Sequence, residues 1–260
     1  MTHRAGFTGL PPRDSPAERL RREAVKTLPP EEDYTLEQYV KHLAASPLDA
    51  QPGTAFRYGP ATTVLGRVIE VVSGQTLDAA FRARVFQPLG MTDTFFSVPE
   101  AKRARVALPY ALKPRQGLTR LPLAAMNPRF LSAGGNLLGT AMDYLRFCQM
   151  LLNNGELNGT RVLSRKSVEL MTASQVDPIP LRFLPGHYFG LSVAVRKADG
   201  QAGLLGSPGT FGWSGGYNTY FRVDPLEKLV VLLFTQLEFS PFELELQYGF
   251  HNTAMQAVND

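Results

Sequence analysis

A helical period of apolar residues governs the first half of this chain, and an alternating period the second. Ser15-Pro16-Ala17-Glu18 reads as a capping box with proline at the first helical position, which predicts a charged helix running to about residue 26. Thr35-Leu36-Glu37-Gln38 is a second such box, after which Leu36, Tyr39, Val40 and Leu43 share one face. Residues 64–72 are apolar almost all round, with Val64, Leu65, Gly66, Val68, Ile69, Val71 and Val72, and predict a mostly buried helix stopped at Gly74. A further helix is expected over 77–86, ending at Pro88 and Gly90.

Residues 97–136 hold many prolines and few periodic runs, so a long surface excursion is expected there, returning at Ser132-Ala133-Gly134-Gly135. Thr140 then caps a helix carrying Met142, Leu145, Phe147, Cys148, Leu151 and Leu152. Three strands are expected next: 189–197, the alternating segment after Trp213, and 229–235, the last apolar enough to be central in a sheet. Asp224-Pro225 joins the last two as antiparallel neighbours, and residues 241–258 read as a helix able to cover the sheet.

The composition is that of a globular protein with a sizeable core: 260 residues, 44% hydrophobic and 19% charged, with no run long enough to span a membrane. The net charge of +4 is modest, and the clusters Arg19-Leu20-Arg21-Arg22 and Lys102-Arg103-Ala104-Arg105 read as solvated helix faces, so no nucleic-acid partner is expected. Cys148 is the single cysteine, which excludes an intramolecular disulfide and reads as an inert core residue. His3, His42, His187 and His251 are far apart and have no ligand spacing, so neither a metal site nor a cofactor is expected.

The segment Phe211-Gly212-Trp213-Ser214-Gly215-Gly216-Tyr217-Asn218 admits two chemical readings. As G-x-S-x-G it would make Ser214 the nucleophile of an α/β-hydrolase, with Asp224 and His251 following in order. That motif needs a buried strand before the serine and a helix after it. Here a glycine-rich loop precedes it and alternating β-formers follow, so the segment reads better as the start of a strand whose glycines leave backbone bare.

Gln51-Pro52-Gly53-Thr54, Tyr58, Leu65-Gly66-Arg67-Val68-Ile69-Glu70, Ser73-Gly74, Gln87-Pro88-Leu89-Gly90-Met91-Thr92-Asp93-Thr94 and the Trp213 segment together resemble the serine β-lactamase-like family. That family takes in class C β-lactamases, penicillin-binding-protein-like peptidases and a branch of esterases. The resemblance implies an α/β fold of the α+β type, with an antiparallel sheet flanked by helices and a helical subdomain. It would form a single incomplete domain over 1–260, mostly helical to about residue 140, with a helix, antiparallel sheet and C-terminal helix over 141–260.

Members of the family use Ser-x-x-Lys, Tyr-x-Asn and Lys-Thr-Gly motifs. The second maps onto Tyr58-Gly59-Pro60, which implies Tyr58 as proton shuttle; by itself Tyr58 would read as a buried tyrosine with a satisfied hydroxyl. Pro60 removes the side-chain amide expected there, which counts against β-lactam hydrolysis. The third maps onto Trp213-Ser214-Gly215, a substrate wall in which tryptophan replaces the cation, as in the esterase branch. Gly216 inherits by position the backbone N–H that faces the oxyanion, although Gly215 and Gly216 alone would read as a bulge or close packing. Ser132-Ala133-Gly134-Gly135 resembles the family's glycine-rich segment, and a plain turn would explain it equally well.

The first motif has no counterpart. None of Lys26, Lys41, Lys102, Lys113, Lys166, Lys197 and Lys228 has a serine three positions earlier. Met1-Thr2-His3-Arg4-Ala5-Gly6-Phe7 is similar to a Thr-His-Thr-Ser/Ala-Gly segment that the family carries downstream of its nucleophile, with Arg4 departing from it. The resemblance therefore implies a domain without its N-terminal strands and nucleophile helix, leaving a sheet edge unpaired and an apolar face uncovered. Three functions stay open. They are a carboxylesterase-like serine hydrolase of small esters or amides whose nucleophile lies outside this chain, leaving it inactive alone; a non-catalytic binding or partner module on the same fold; and an α/β-hydrolase using Ser214.

Overall fold

The computed structural model describes residues 1–9, 15–29, 33–113, 115–123, 128–176, 185–198, 203–238 and 243–258, which fall into two compact units. The first comprises Met1–Pro88, Thr92–Pro99 and Ala125–Gly139. Its helix α1 (Pro16–Lys26) starts where Glu18 N–H donates to Ser15 Oγ at 3.1 Å. Helix α2 (Leu36–Ala44) starts on the reciprocal box, with Gln38 N–H donating to Thr35 Oγ1 at 3.3 Å and Thr35 N–H to Gln38 Oε1 at 2.8 Å. Helix α3 (Ala61–Ser73) ends at Gly74, whose φ of +66° suits a residue without Cβ. Helix α4 (Leu77–Phe81) follows the Thr76 cap and widens into a π-helical turn over Arg82–Phe86.

Tyr34, Leu36, Leu77, Phe96 and Phe130 form the core of this unit, with Ile69 of α3 packed against it. Helix α3 comes so close that a Cβ on Gly66 would stand 3.0 Å from Ala133 Cβ and 3.2 Å from Leu77 Cδ2. Its opposite side departs from expectation. Only Thr63 and Gly66 are buried, whereas Val68, Val71 and Val72 are 49%, 65% and 82% exposed. Period and composition required cover on both faces; α2, α4 and the Ala133 segment supply it on one.

The second unit comprises Leu89–Met91, Glu100–Ala124 and Thr140–Asp260. The long surface excursion expected over 97–136 contains a 3-10 helix, Glu100–Arg105, and a hairpin of β1 (Tyr110–Lys113) with β2 (Gly117–Arg120). Both are too short and too exposed to leave an apolar period. Helix α5 (Ala141–Leu152) starts on Thr140, whose side chain accepts from Asp143 N–H, and is followed by the small hairpin β3 (Glu156–Leu157) and β4 (Thr160–Arg161), then α6 (Arg165–Thr172).

A five-stranded antiparallel sheet follows in chain order: β5 (His187–Phe189), β6 (Ala194–Arg196), β7 (Phe211–Ser214), β8 (Tyr220–Asp224) and β9 (Leu229–Leu233). The run expected as one strand over 189–197 is a hairpin, turned through Gly190 and through Ser192 at φ +66°. Strand β9, expected to be central, ends the strand order among the described residues. Helix α7 (Glu243–Met255) completes the fold. Neighbouring residues of a strand point to opposite faces, so Tyr144 of α5 against Phe221 (5.3 Å) and His251 of α7 against Tyr220 (5.8 Å) place a helix on each side of β8. This explains why β8 is buried throughout. Among the described residues no helix is long and apolar enough to cross a membrane.

Candidate active site

The five residues expected to form a site divide between the units: Tyr58 lies in the first, and Trp213, Ser214, Gly215 and Gly216 in the second. Tyr58 stands half-buried just before α3, with Pro60 at the N-cap giving no side-chain cap. The amino-terminal segment fixes this loop. Gly53 N–H donates to Arg4 O at 2.8 Å, Arg57 N–H to His3 O at 2.8 Å, and Asp49 N–H to Gly6 O at 2.8 Å. A Cβ on Gly9 would lie 2.1 Å from Tyr58 O, and one on Gly59 2.5 Å from Thr8 O, so backbone rests directly on backbone. The buried pair Arg57 Nε and Asp49 Oδ2, 2.9 Å apart, ties the loop's two ends together.

His3 packs against Tyr58, their ring centroids 4.4 Å apart. Burial and the charged amino terminus lower its pKa to about 4. The ring is therefore neutral at pH 7, and because Nδ1 accepts the Gly59 N–H at 3.3 Å, the proton sits on Nε2. The sequence sets His3 in a segment of resemblance and among four histidines without ligand spacing; the contact with Tyr58 joins residues 55 positions apart, and no local pattern could reveal it.

Tyr58 borders a cavity of about 340 Å³ that Thr63, Gly134, Tyr39 and Arg21 also line. Ser132-Ala133-Gly134-Gly135 is docked onto α3 beside it. Ser132 Oγ lies 2.9 Å from Thr63 Oγ1 and accepts the Gly134 N–H at 3.1 Å, and a Cβ on Gly134 would come within 3.2 Å of Thr63 Oγ1. That segment is thus more than a turn leading to a helix.

In the second unit, β7 and β8 pair Phe211 with Val223, Gly212 with Arg222, Trp213 with Phe221 and Ser214 with Tyr220. What reads in sequence as the start of a strand is the end of β7 and a tight reversal. Gly215 N–H donates to Thr219 O at 2.8 Å and Asn218 N–H to Gly215 O at 3.0 Å, with Asn218 at φ +57° and fully buried. A Cβ on Gly215 would strike Thr219 Oγ1 at 2.3 Å. Gly216 sits exposed at the reversal and donates no backbone hydrogen bond among the described residues. Half-buried Trp213 meets Phe189 edge to face at 5.1 Å.

Beneath this strand the buried guanidinium of Arg222 crosses Gly212, donating from Nη1 to Phe221 O at 2.9 Å and to Trp213 O at 3.4 Å. It also stacks on Tyr220 at 4.3 Å, and burial lowers its pKa from the usual arginine value. A glycine inside a strand was the signal that could have announced this close approach.

Ser214 lacks the surroundings of a nucleophile elbow, since β7 leads into a hairpin and not a helix. The acid and base expected for it are occupied elsewhere. Asp224 accepts from Ser207 N–H and Thr210 Oγ1, each at 2.8 Å, and from Leu226 and Glu227 N–H, each at 3.1 Å. Burial would raise its pKa, but these donors outweigh burial and hold it below the ordinary value. His251 Nε2 bonds to Leu205 O at 2.9 Å, and burial lowers its pKa. Cys148 is fully buried and its thiol is pushed up to about 12, as suits an inert core residue.

The β-lactamase family profile matches residues 1–251. Protein Rv1367c of Mycobacterium tuberculosis is 37% identical over 207 residues, covering 75% of this chain and 52% of that protein. Esterase EstB of Burkholderia gladioli is 31% identical over 221 residues, covering 78% of this chain and 55% of EstB. The solved structure of EstCE1, a hydrolase with promiscuous acyltransferase activity, superposes with a TM-score of 0.77 at 26% identity, over 98% of this chain and 70% of EstCE1. The chain spans about half the length of the curated relatives it matches. With its antiparallel sheet, its flanking helices and a match from the first residue to the last helix, this chain belongs to the β-lactamase family and has the serine-hydrolase-like fold of that family.

Proposed function

We propose that the chain is part of a carboxylesterase-like acyl hydrolase acting on small esters or amides. Tyr58 shuttles the proton, the Gly216 N–H faces the oxyanion, and Trp213, Ser214 and Gly215 form the substrate wall. The observation that carries this reading is the setting of Tyr58, braced by an uncharged histidine and bordering a cavity. Two substitutions support an ester over a β-lactam: Pro60 offers no amide to an acylamide group, and Trp213 offers no cation to a carboxylate. The names of EstB and EstCE1 agree with that choice.

In the reaction, Tyr58, its own proton passed to the lysine of a Ser-x-x-Lys motif, takes the proton of that motif's serine hydroxyl as the serine oxygen attacks the carbonyl carbon. The carbonyl oxygen gains charge facing the Gly216 N–H, a donor worth about 3 kcal/mol in comparable sites. As the bond to the alcohol breaks, Tyr58 returns the proton to it and an acyl-enzyme remains. Water then repeats the sequence and releases the acid. The attacking serine belongs to a Ser-x-x-Lys motif that these 260 residues do not contain, so the chain alone is inactive.

The test is hydrolysis of p-nitrophenyl butyrate, with fluorophosphonate labelling alongside. The purified 260-residue chain is expected to do neither. A version extended upstream through an in-frame Ser-x-x-Lys is expected to do both, and Tyr58→Phe in it to lower kcat about a hundredfold or more with KM little changed. Turnover by the unextended chain, or an active Tyr58→Phe, overturns the reading. The absent motif favours one alternative, a non-catalytic binding module, which a stop codon upstream without any Ser-x-x-Lys would support.

A further inference from the structure

The cavity beside Tyr58 carries a charge for which the proposed reaction has no use. Among the described residues on its wall only Glu18 and Arg21, one turn apart on α1, are charged, since His3 is neutral at pH 7. The Arg21 side chain is 25% exposed. Its Nη1 stands 3.9 Å from Glu18 Oε1, beyond hydrogen-bond reach, and its buried Nε has no hydrogen-bond partner among the described residues. A guanidinium is always protonated and directs its N–H donors in one plane. Largely buried, it needs acceptors that Glu18 does not supply at this distance.

Size and lining indicate what can supply them. At about 340 Å³ the cavity takes a small organic molecule, and Tyr39 and Pro60 add apolar surface to its wall and Thr62 a hydroxyl. The planar fork of an arginine matches a carboxylate through two parallel hydrogen bonds. Trp213 offers a substrate carboxylate no cation, whereas this wall does. We infer that Arg21 is a specificity-determining residue that binds a carboxylate carried by the substrate, so that the preferred substrates are short esters with a free acid group on their acid or alcohol half. Glu18 is near enough to repel that carboxylate and moderates its affinity. The inference deepens the proposed function and rests on the reading that this cavity receives the substrate.

The test is binding to the 260-residue chain, measured by calorimetry. The probes are monobutyl succinate, with its carboxylate on the acid half, 3-(butanoyloxy)propanoate, with it on the alcohol half, and the neutral diester butyl methyl succinate. At least one anion is expected to bind about tenfold or more tightly than the neutral diester, and the tighter anion assigns the half. Arg21→Gln should abolish the preference, and Arg21→Lys, which keeps the charge without the fork, should retain part of it. Glu18→Gln should strengthen anion binding severalfold, and circular dichroism checks the fold of all three variants. Anions bound no more tightly than the neutral diester, no binding of any probe, a preference that survives Arg21→Gln, or anion binding weakened by Glu18→Gln overturns the inference. The version extended upstream through Ser-x-x-Lys separates the two readings. Preferential anion binding without hydrolysis of any ester counts against the proposed function alone, and hydrolysis of neutral and anionic esters with equal kcat/KM counts against the inference alone.

Discussion

Replacing Gly212 with alanine should damage the second unit far more than a single methyl group suggests. Its added Cβ would stand 2.0 Å from Phe221 O and 2.9 Å from Arg222 Nη1. Carbon and oxygen in contact settle above 3 Å, so β7 and β8 must separate by about an ångström at the pair Gly212 and Arg222. Overpacking of this kind costs roughly 1–3 kcal/mol. Weakening one or two ladder hydrogen bonds adds about 1 kcal/mol each, for a total near 3 kcal/mol. Guanidinium titrations can follow the change through Trp213, the single tryptophan of the chain, which lies on the affected strand. The obstacle is chiefly backbone, so adding Arg222→Ala should not restore stability. Gly135→Ala, with nothing within 4 Å of the new atom, should be nearly neutral. A loss below about 0.5 kcal/mol for Gly212→Ala, or rescue by Arg222→Ala, would refute the reasoning.

Other changes test the first unit and the core. His3 has a folded-state pKa of about 4 against an unfolded value of 6.5, so its contribution is complete above pH 6.5 and is lost as pH falls towards 4; the shift is worth about 3 kcal/mol. His3→Gln, whose side-chain oxygen can still accept the Gly59 N–H, should flatten the stability profile in that window, and an unchanged slope would contradict the assignment. Asp49→Ala strands the buried guanidinium of Arg57 and should cost about 3–5 kcal/mol in a thermal or denaturant melt, whereas a loss under 1 kcal/mol would show the pair to be solvated. Cys148 should be inert to DTNB in the native protein and react once in denaturant; rapid native labelling would show that α5 opens.

Determined by sequence alone were the features whose partners lie within a few residues. The Thr35 and Gln38 box, the Thr140 cap, the Gly74 stop and the Asp224-Pro225 turn all close over short spans, so spacing carries the whole signal. The family resemblance, resting on ordered short motifs, was equally legible and is upheld. Tertiary structure alone decided what depends on distant neighbours. The run over 189–197 satisfies a strand pattern whether it is straight or folded on itself, and only pairing between His187 and Arg196 makes it a hairpin. Strand β9 is apolar enough for the centre, and its place at the end of the described sheet follows from which strands are there to pair.

For the candidate site, residue types and order pointed to Tyr58 and the Trp213 segment, while the brace from His3 and the arginine under Gly212 needed contacts across the fold. Helix α3 marks the boundary most sharply. Its sequence specifies that both faces be buried, because valine gains free energy wherever water is excluded. Which polypeptide excludes the water is a property of tertiary structure, and on the Val68, Val71 and Val72 side these residues do not provide it.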